Sequence, residues 1–139
     1  MENEKIDSLE AASGITVLIV DDETDFLEIM NKHLCRLGLK VETAGGCRAA
    51  ISSMETSPKE VVIMDVSMPE IDGIRCLQLV KELWPDTEII ILTGHASVKS
   101  GVEGMQNGAF DYCLKPIDTR ELVEKIELAA RKALVNRRS

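Results

Sequence analysis

Five times in succession, a short run of aliphatic residues gives way to a stretch whose apolar positions recur every three or four residues. The first run, Ile15-Thr16-Val17-Leu18-Ile19-Val20, is almost wholly apolar and β-branched at all but Leu18, as suits a strand buried on both faces. Phe26, Ile29, Met30, Leu34 and Leu37 then mark a helix that stops at Gly38. Residues 39–44 (LKVETA) alternate and read as a less buried strand, followed after Gly45-Gly46 by a helix on Ala49, Ala50, Ile51 and Met54 that closes near Pro58. Val61-Val62-Ile63-Met64 is a third strand, and Ile74, Leu77, Val80 and Leu83 carry a helix that must end before Pro85. Glu88 to Leu92 forms a fourth strand, with a helix on Val98, Val102, Met105 and Ala109 behind it. Tyr112-Cys113-Leu114 is a short fifth strand, and residues 119–135 form a last helix on Leu122, Ile126, Ala129 and Ala133.

Strands alternating with helices require right-handed crossovers and a parallel sheet covered on both faces. The expected architecture is α/β: a five-stranded parallel sheet of (βα)5 flavodoxin-like type, strand order 2-1-3-4-5, with helices on both faces. In that order the chain reverses direction between the first and third strands, and ligands bind beyond the carboxyl ends of the strands at such a reversal. A length of 139 residues suits one domain. Residues 1–14 are polar and acidic without a usable period and read as a flexible N-terminal extension. The domain is expected over 15–135, with 136–139 as a C-terminal tail.

With 45% apolar residues but only 3% aromatic, the core has to be aliphatic. The net charge of −8 argues against non-specific binding to nucleic acid or to an anionic membrane. Arg131, Lys132, Arg137 and Arg138 read as cations complementing a helix C-terminus. No apolar run approaches the length of a membrane span, and the acidic N-terminus has no signal-peptide core. The four cysteines, at 35, 47, 76 and 113, show no CxxC and no metal-ligand spacing. Cys35, Cys76 and Cys113 read as small buried hydrophobes, His33 as a packing residue on the first helix's apolar stripe, and the whole as a reduced, cytoplasmic protein.

The residues able to do chemistry gather at the predicted strand ends. Asp21, Asp22 and Glu23 follow the first strand, and Asp65 follows the third. Asp22 alone reads as a helix N-cap and Asp65 alone as a loop cap. Brought together, these acids repel one another unless a cation relieves them, and Mg²⁺ suits a carboxylate cluster with open positions. Thr93 ends the fourth strand ahead of Gly94, and Lys115 ends the fifth ahead of Pro116. A lone Thr there is commonly a turn former and a lone Lys a solvated one. On the same sheet edge as the acids, however, Lys115 becomes a counter-charge for phosphate oxygens.

Asp21-Asp22, Asp65, Thr93 and Lys115-Pro116 stand in the segments IVDDE, VVIMDVSMPEIDG, IIILTGHAS and GAFDYCLKPID. On five strand–helix units this set resembles the receiver domain of two-component response regulators, over residues 15 to about 133. The resemblance implies that Asp65 is the phosphoacceptor, receiving a phosphoryl group from a sensor histidine kinase or phosphotransfer protein. It implies that Mg²⁺ is held by Asp22, Asp65, the Ser67 backbone carbonyl and, through water, Asp21, with Lys115 neutralising another oxygen. Thr93 and Tyr112 (the only tyrosine) would be the switch pair, signalling through the fourth helix, fifth strand and last helix to a downstream protein target or an output domain outside this chain. Ser67 and His95 occupy positions that tune phosphoryl lifetime in the family, His95 reading otherwise as a solvated loop residue. Val98, Lys99, Val102 and Arg120 would support a phosphorylation-dependent homodimer or serve as ordinary helix surface.

Two other classes fit the residues less well. A metal-dependent phosphatase with an aspartyl nucleophile needs a second acid two residues after it, where Asp65 has Ser67. An unphosphorylated receiver-like interaction module would not need the complete acid, Thr and Lys set. Neither GxGxxG nor a P-loop is present, so a nucleotide site has no support. No separate enzymatic activity is expected beyond self-phosphorylation and self-dephosphorylation.

Overall fold

The computed structural model describes residues 13–66, 73–94 and 98–138, and the side chains of all of these except 98–100. Its elements alternate as the sequence predicts: β1 (Thr16–Val20), α1 (Thr24–Arg36), β2 (Lys40–Ala44), α2 (Cys47–Thr56), β3 (Val61–Met64), α3 (Gly73–Leu83), β4 (Glu88–Thr93), α4 (Val98–Gln106), β5 (Asp111–Leu114) and α5 (Thr119–Arg138). The sheet is wholly parallel and runs β2-β1-β3-β4-β5.

Alternation along the strands divides the core in two. Val17 and Ile19 of β1, Val61 and Ile63 of β3, and Ile90 and Leu92 of β4 face a layer made by Leu27, Met30 and Leu34 of α1 with Leu122, Ile126 and Ala129 of α5. Their neighbours Leu18, Val20, Val62, Met64, Ile89 and Ile91 face Ala50 and Met54 of α2 with Leu77 and Val80 of α3. A one-residue slip in any central strand would exchange these sets, so two helical layers together fix the register. The edge strand β2 buries only Ala44 fully, in keeping with its mixed sequence.

Two glycines allow close approaches, the first one that no other residue would permit. A Cβ on Gly73 would lie 2.2 Å from the Cα of Val66, so the first turn of α3 closes directly on the residue after Asp65. A Cβ on Gly101 would lie 3.0 Å from the Tyr112 ring, so α4 rests on that ring through bare backbone.

Several expectations need correction. Ile29, His33 and Cys35 are exposed rather than packed, because the buried stripe of α1 runs through Leu27, Met30 and Leu34. Ala109 is buried but lies beyond the end of α4, and α5 continues three residues past 135. Cys76 is buried as expected but is not a free thiol. It is joined to Cys47 at the start of α2, with Cα atoms 5.8 Å apart, so the expected fully reduced chain gives way to one disulfide, with Cys35 and Cys113 as the free thiols. Burial pushes the Cys113 thiol up to about 11.

Denatured without reductant, the protein should take up two equivalents of iodoacetamide, on Cys35 and Cys113, and four after reduction. Reduction should also lower stability by roughly 3–4 kcal/mol, the loop-closure effect for a crosslink of this span. Peptide mass mapping and chemical denaturation with and without reductant check the two statements.

Candidate metal centre

Each strand of a parallel sheet delivers its following residue to the same edge. Register pairs Val20 with Ala44 and Met64, and Thr93 with Leu114. The ladders then run one step beyond the strands: Asp21 N–H donates to the Ala44 carbonyl, Asp65 N–H to the Val20 carbonyl, and Lys115 N–H to the Thr93 carbonyl, at 3.0, 3.0 and 2.9 Å. Backbone hydrogen bonds thus fix the Cα positions of Asp21, Asp65 and Lys115 relative to one another, ahead of any side-chain interaction. The Lys115-Pro116 peptide bond is cis.

Asp21, Asp65 and Thr93 are buried, Lys115 is largely covered and Asp22 is exposed. Lys115 Nζ lies 2.5 Å from Asp21 Oδ2, 3.5 Å from Asp65 Oδ2 and 3.8 Å from Glu23 Oε1. Asp21 Oδ1 accepts the Glu23 backbone N–H at 2.9 Å. One oxygen from each of Asp21, Asp22 and Asp65 lies within 4.8 Å of the others. The donor set is therefore three hard carboxylate oxygens, two buried and one open to solvent, against one nearby ammonium. A small divalent cation that keeps part of its water shell fits this set, as Mg²⁺ does.

Electrostatics point the same way. Burial drives the Asp21 carboxyl above its usual range and Asp65 adds repulsion, while the Lys115 hydrogen bond, the Glu23 N–H and the Lys115 charge oppose them without winning. Burial alone would lower the Lys115 ammonium. The hydrogen bond to Asp21 and the charges of Asp21, Asp65 and Glu23 together outweigh it and raise it. The site holds more negative charge than Lys115 can neutralise.

The structure brings Asp21, Asp22, Asp65, Thr93 and Lys115 to one edge, as the sequence anticipates. Tyr112 stands half-buried on β5 against α4. Ser67 and His95 lie outside the described residues, as do the side chains of Val98 and Lys99, while Val102 and Arg120 are exposed. One neighbour escaped the sequence reading: Phe26, whose ring centroid is 4.1 Å from Lys115 Nζ. Its sequence signal, an aromatic in the first turn of the helix after the acidic pair, is equally that of a core residue.

The chain belongs to the response regulator receiver domain family, whose model matches residues 17–127. Receiver domains of response regulators are signalling domains. Among named relatives, the regulatory protein AtoC of Escherichia coli (strain K12) is 36% identical over 106 residues, which make up 76% of this chain and 23% of that protein. The chain spans about a quarter of the length of the first curated relatives it matches. A response regulator receiver domain protein from Clostridium thermocellum superposes with a TM-score of 0.81 at 31% identity, covering 87% of this chain and 98% of that one. The beryllofluoride-activated NtrC4 receiver domain dimer does so with 0.79 at 30% identity, covering 85% and 98%.

Because the folded-state Asp21 carboxyl titrates above its unfolded value, its contribution to stability is fully present below the unfolded range and is lost as pH rises through the folded one. At pH 7 the ionised side chain therefore costs stability. In a chelator-containing buffer at that pH, Asp21→Asn should therefore melt above wild type. The advantage should shrink as pH falls through the raised carboxyl range, and added Mg²⁺ should favour wild type instead. Thermal melts across pH, with and without Mg²⁺, provide the check.

Proposed function

We propose that this chain is a phosphorylation-dependent switch whose acceptor is Asp65, loaded from the phosphohistidine of a sensor histidine kinase or a phosphotransfer protein. The observation that carries the reading is the buried Asp65 carboxylate, fixed at the end of β3 within 3.5 Å of the Lys115 ammonium and beside two further carboxylates. A carboxylate oxygen of Asp65 attacks phosphorus, the bond from phosphorus to the donor imidazole nitrogen breaks, and its electron pair leaves with the imidazole, giving an acyl phosphate. Lys115 pairs with one phosphoryl oxygen, at the cost of its present contact with Asp21. Asp22 and Asp65, with Asp21 through water and the Ser67 carbonyl, would hold Mg²⁺. When bound, the ion offsets the charge of the carboxylates and the phosphoryl oxygens.

Thr93, buried at the end of β4 next to β5, is the group suited to report the change. Its hydroxyl would meet a phosphoryl oxygen, and the Tyr112 ring, seated against Gly101, would move with it. The readout face is then α4, β5 and α5, where Val102, Met105 and Leu114 are exposed. It would act on a downstream protein target or on an output domain beyond this chain, or pair with a second copy, in line with the dimer named for the NtrC4 receiver. Ser67 and His95 would set the lifetime of the acyl phosphate. A cytoplasmic setting accords with a kinase donor, and among the described residues no helix is long and apolar enough to cross a membrane.

Incubation with Mg²⁺ and acetyl phosphate should add a single phosphoryl group to the intact mass, and Asp65→Asn should add none. Lys115→Ala should slow loading by roughly a hundredfold, the usual scale for removing one group that stabilises transition-state charge. Failure to load from acetyl phosphate and from a histidine kinase alike would sink the proposal.

A further inference from the structure

Among the described residues, Lys115 meets carboxylates on several sides and an aromatic ring on another. Its Nζ lies 4.1 Å from the centroid of the Phe26 ring, well inside the distance at which an ammonium is attracted to a ring face. Phe26 stands in the first turn of α1, half-buried, and packs against the α1–α5 core layer. The ring is therefore anchored by the fold, whereas Lys115 is a flexible four-carbon stem carrying a compact charge. With its side chain only 13% exposed, the ammonium has exchanged most of its water for Asp21, Asp65, Glu23 and this ring.

We propose that Phe26 is a positioning residue for phosphoryl transfer, acting through Lys115. This rests on the receiver chemistry proposed above and extends it to a residue outside the acid, Thr and Lys set. Loading of Asp65 requires Lys115 to exchange its 2.5 Å contact with Asp21 for a phosphoryl oxygen at the Asp65 end of the site. Carboxylates hold an ammonium at fixed points. A ring face attracts it broadly and with little directional preference, so Nζ can shift laterally without leaving the site or regaining water. Phe26 keeps Lys115 within reach of both carboxylates while neither holds it irrevocably.

The test compares Phe26→Leu, which keeps apolar bulk without a π-face, with Phe26→Tyr, which keeps the face. In the wild type the Lys115 ε-methylene proton resonances should lie upfield through the ring current, and return to ordinary lysine positions in Phe26→Leu. Loading of Asp65 from acetyl phosphate should slow about threefold to tenfold in Phe26→Leu, the range a partly desolvated cation–π contact supplies, and recover in Phe26→Tyr. In a Lys115→Ala background Phe26→Leu should have no further effect, since a residue acting through Lys115 cannot act without it. A purely structural role would instead carry over additively. Phe26→Met replaces the Leu variant if that one melts far below wild type.

Ordinary ε-methylene shifts in the wild type, unaltered loading in Phe26→Leu, or an equal loss in the Lys115→Ala background would each overturn this role and leave the receiver chemistry standing. Absence of any adduct on the wild type, with every donor, would overturn the receiver chemistry and this role with it.

Discussion

Parallel strand pairing is the constraint on which the rest of this molecule depends. It sends every strand out on the same edge, and the ladder carries on far enough to fix the residue after each of three strands by a backbone hydrogen bond. Asp21, Asp65 and Lys115 owe their relative positions to that ladder and to the core on either side of it. Distance between the charged groups is thereby set by the sheet spacing. The apolar layers supply the free energy that keeps mutually repelling carboxylates in place.

The resulting site is deliberately unbalanced in charge. One ammonium faces three nearby acids and sits hardest against Asp21, the most deeply buried of them. Burial makes the ionised Asp21 costly, and the same burial strengthens any cation that reaches the cluster. A cation that entered such a cluster would relieve repulsion already present among its carboxylates. The first turn of α3 closes through Gly73 on the backbone of Val66, the residue next to Asp65.

The fold was legible in the sequence because its two periods are clean: Val17 to Val20 and Ile89 to Leu92 are apolar on both faces, and the helices between them repeat at three and four. The acid, Thr and Lys set was legible for the same reason, since strand ends in a parallel sheet share an edge. What the sequence did not disclose depends on angles between elements. The phase of α1 is turned enough to expose Ile29, His33 and Cys35, a matter of tens of degrees that a list of apolar positions does not specify. Phe26 shows the same limit, because facing Lys115 and facing the core are adjacent orientations of one ring. Cys47 and Cys76 each lie on the inner stripe of their own helix, and only the packing of α2 beside α3 on one sheet face brings them within bonding distance.

That bond encloses β3. Residues 47 to 76 form a covalent ring of chain, and Asp65 lies inside it. Under a pulling load applied at the two chain ends, tension passes through the sulfur bridge and bypasses the enclosed segment. While the bridge is intact, the extended length falls short by the contour of a 29-residue separation, roughly 100 Å at 3.3–3.6 Å per residue. The strand that ends at Asp65 is mechanically shielded by this bridge, and a reductant is what would return it to the load path.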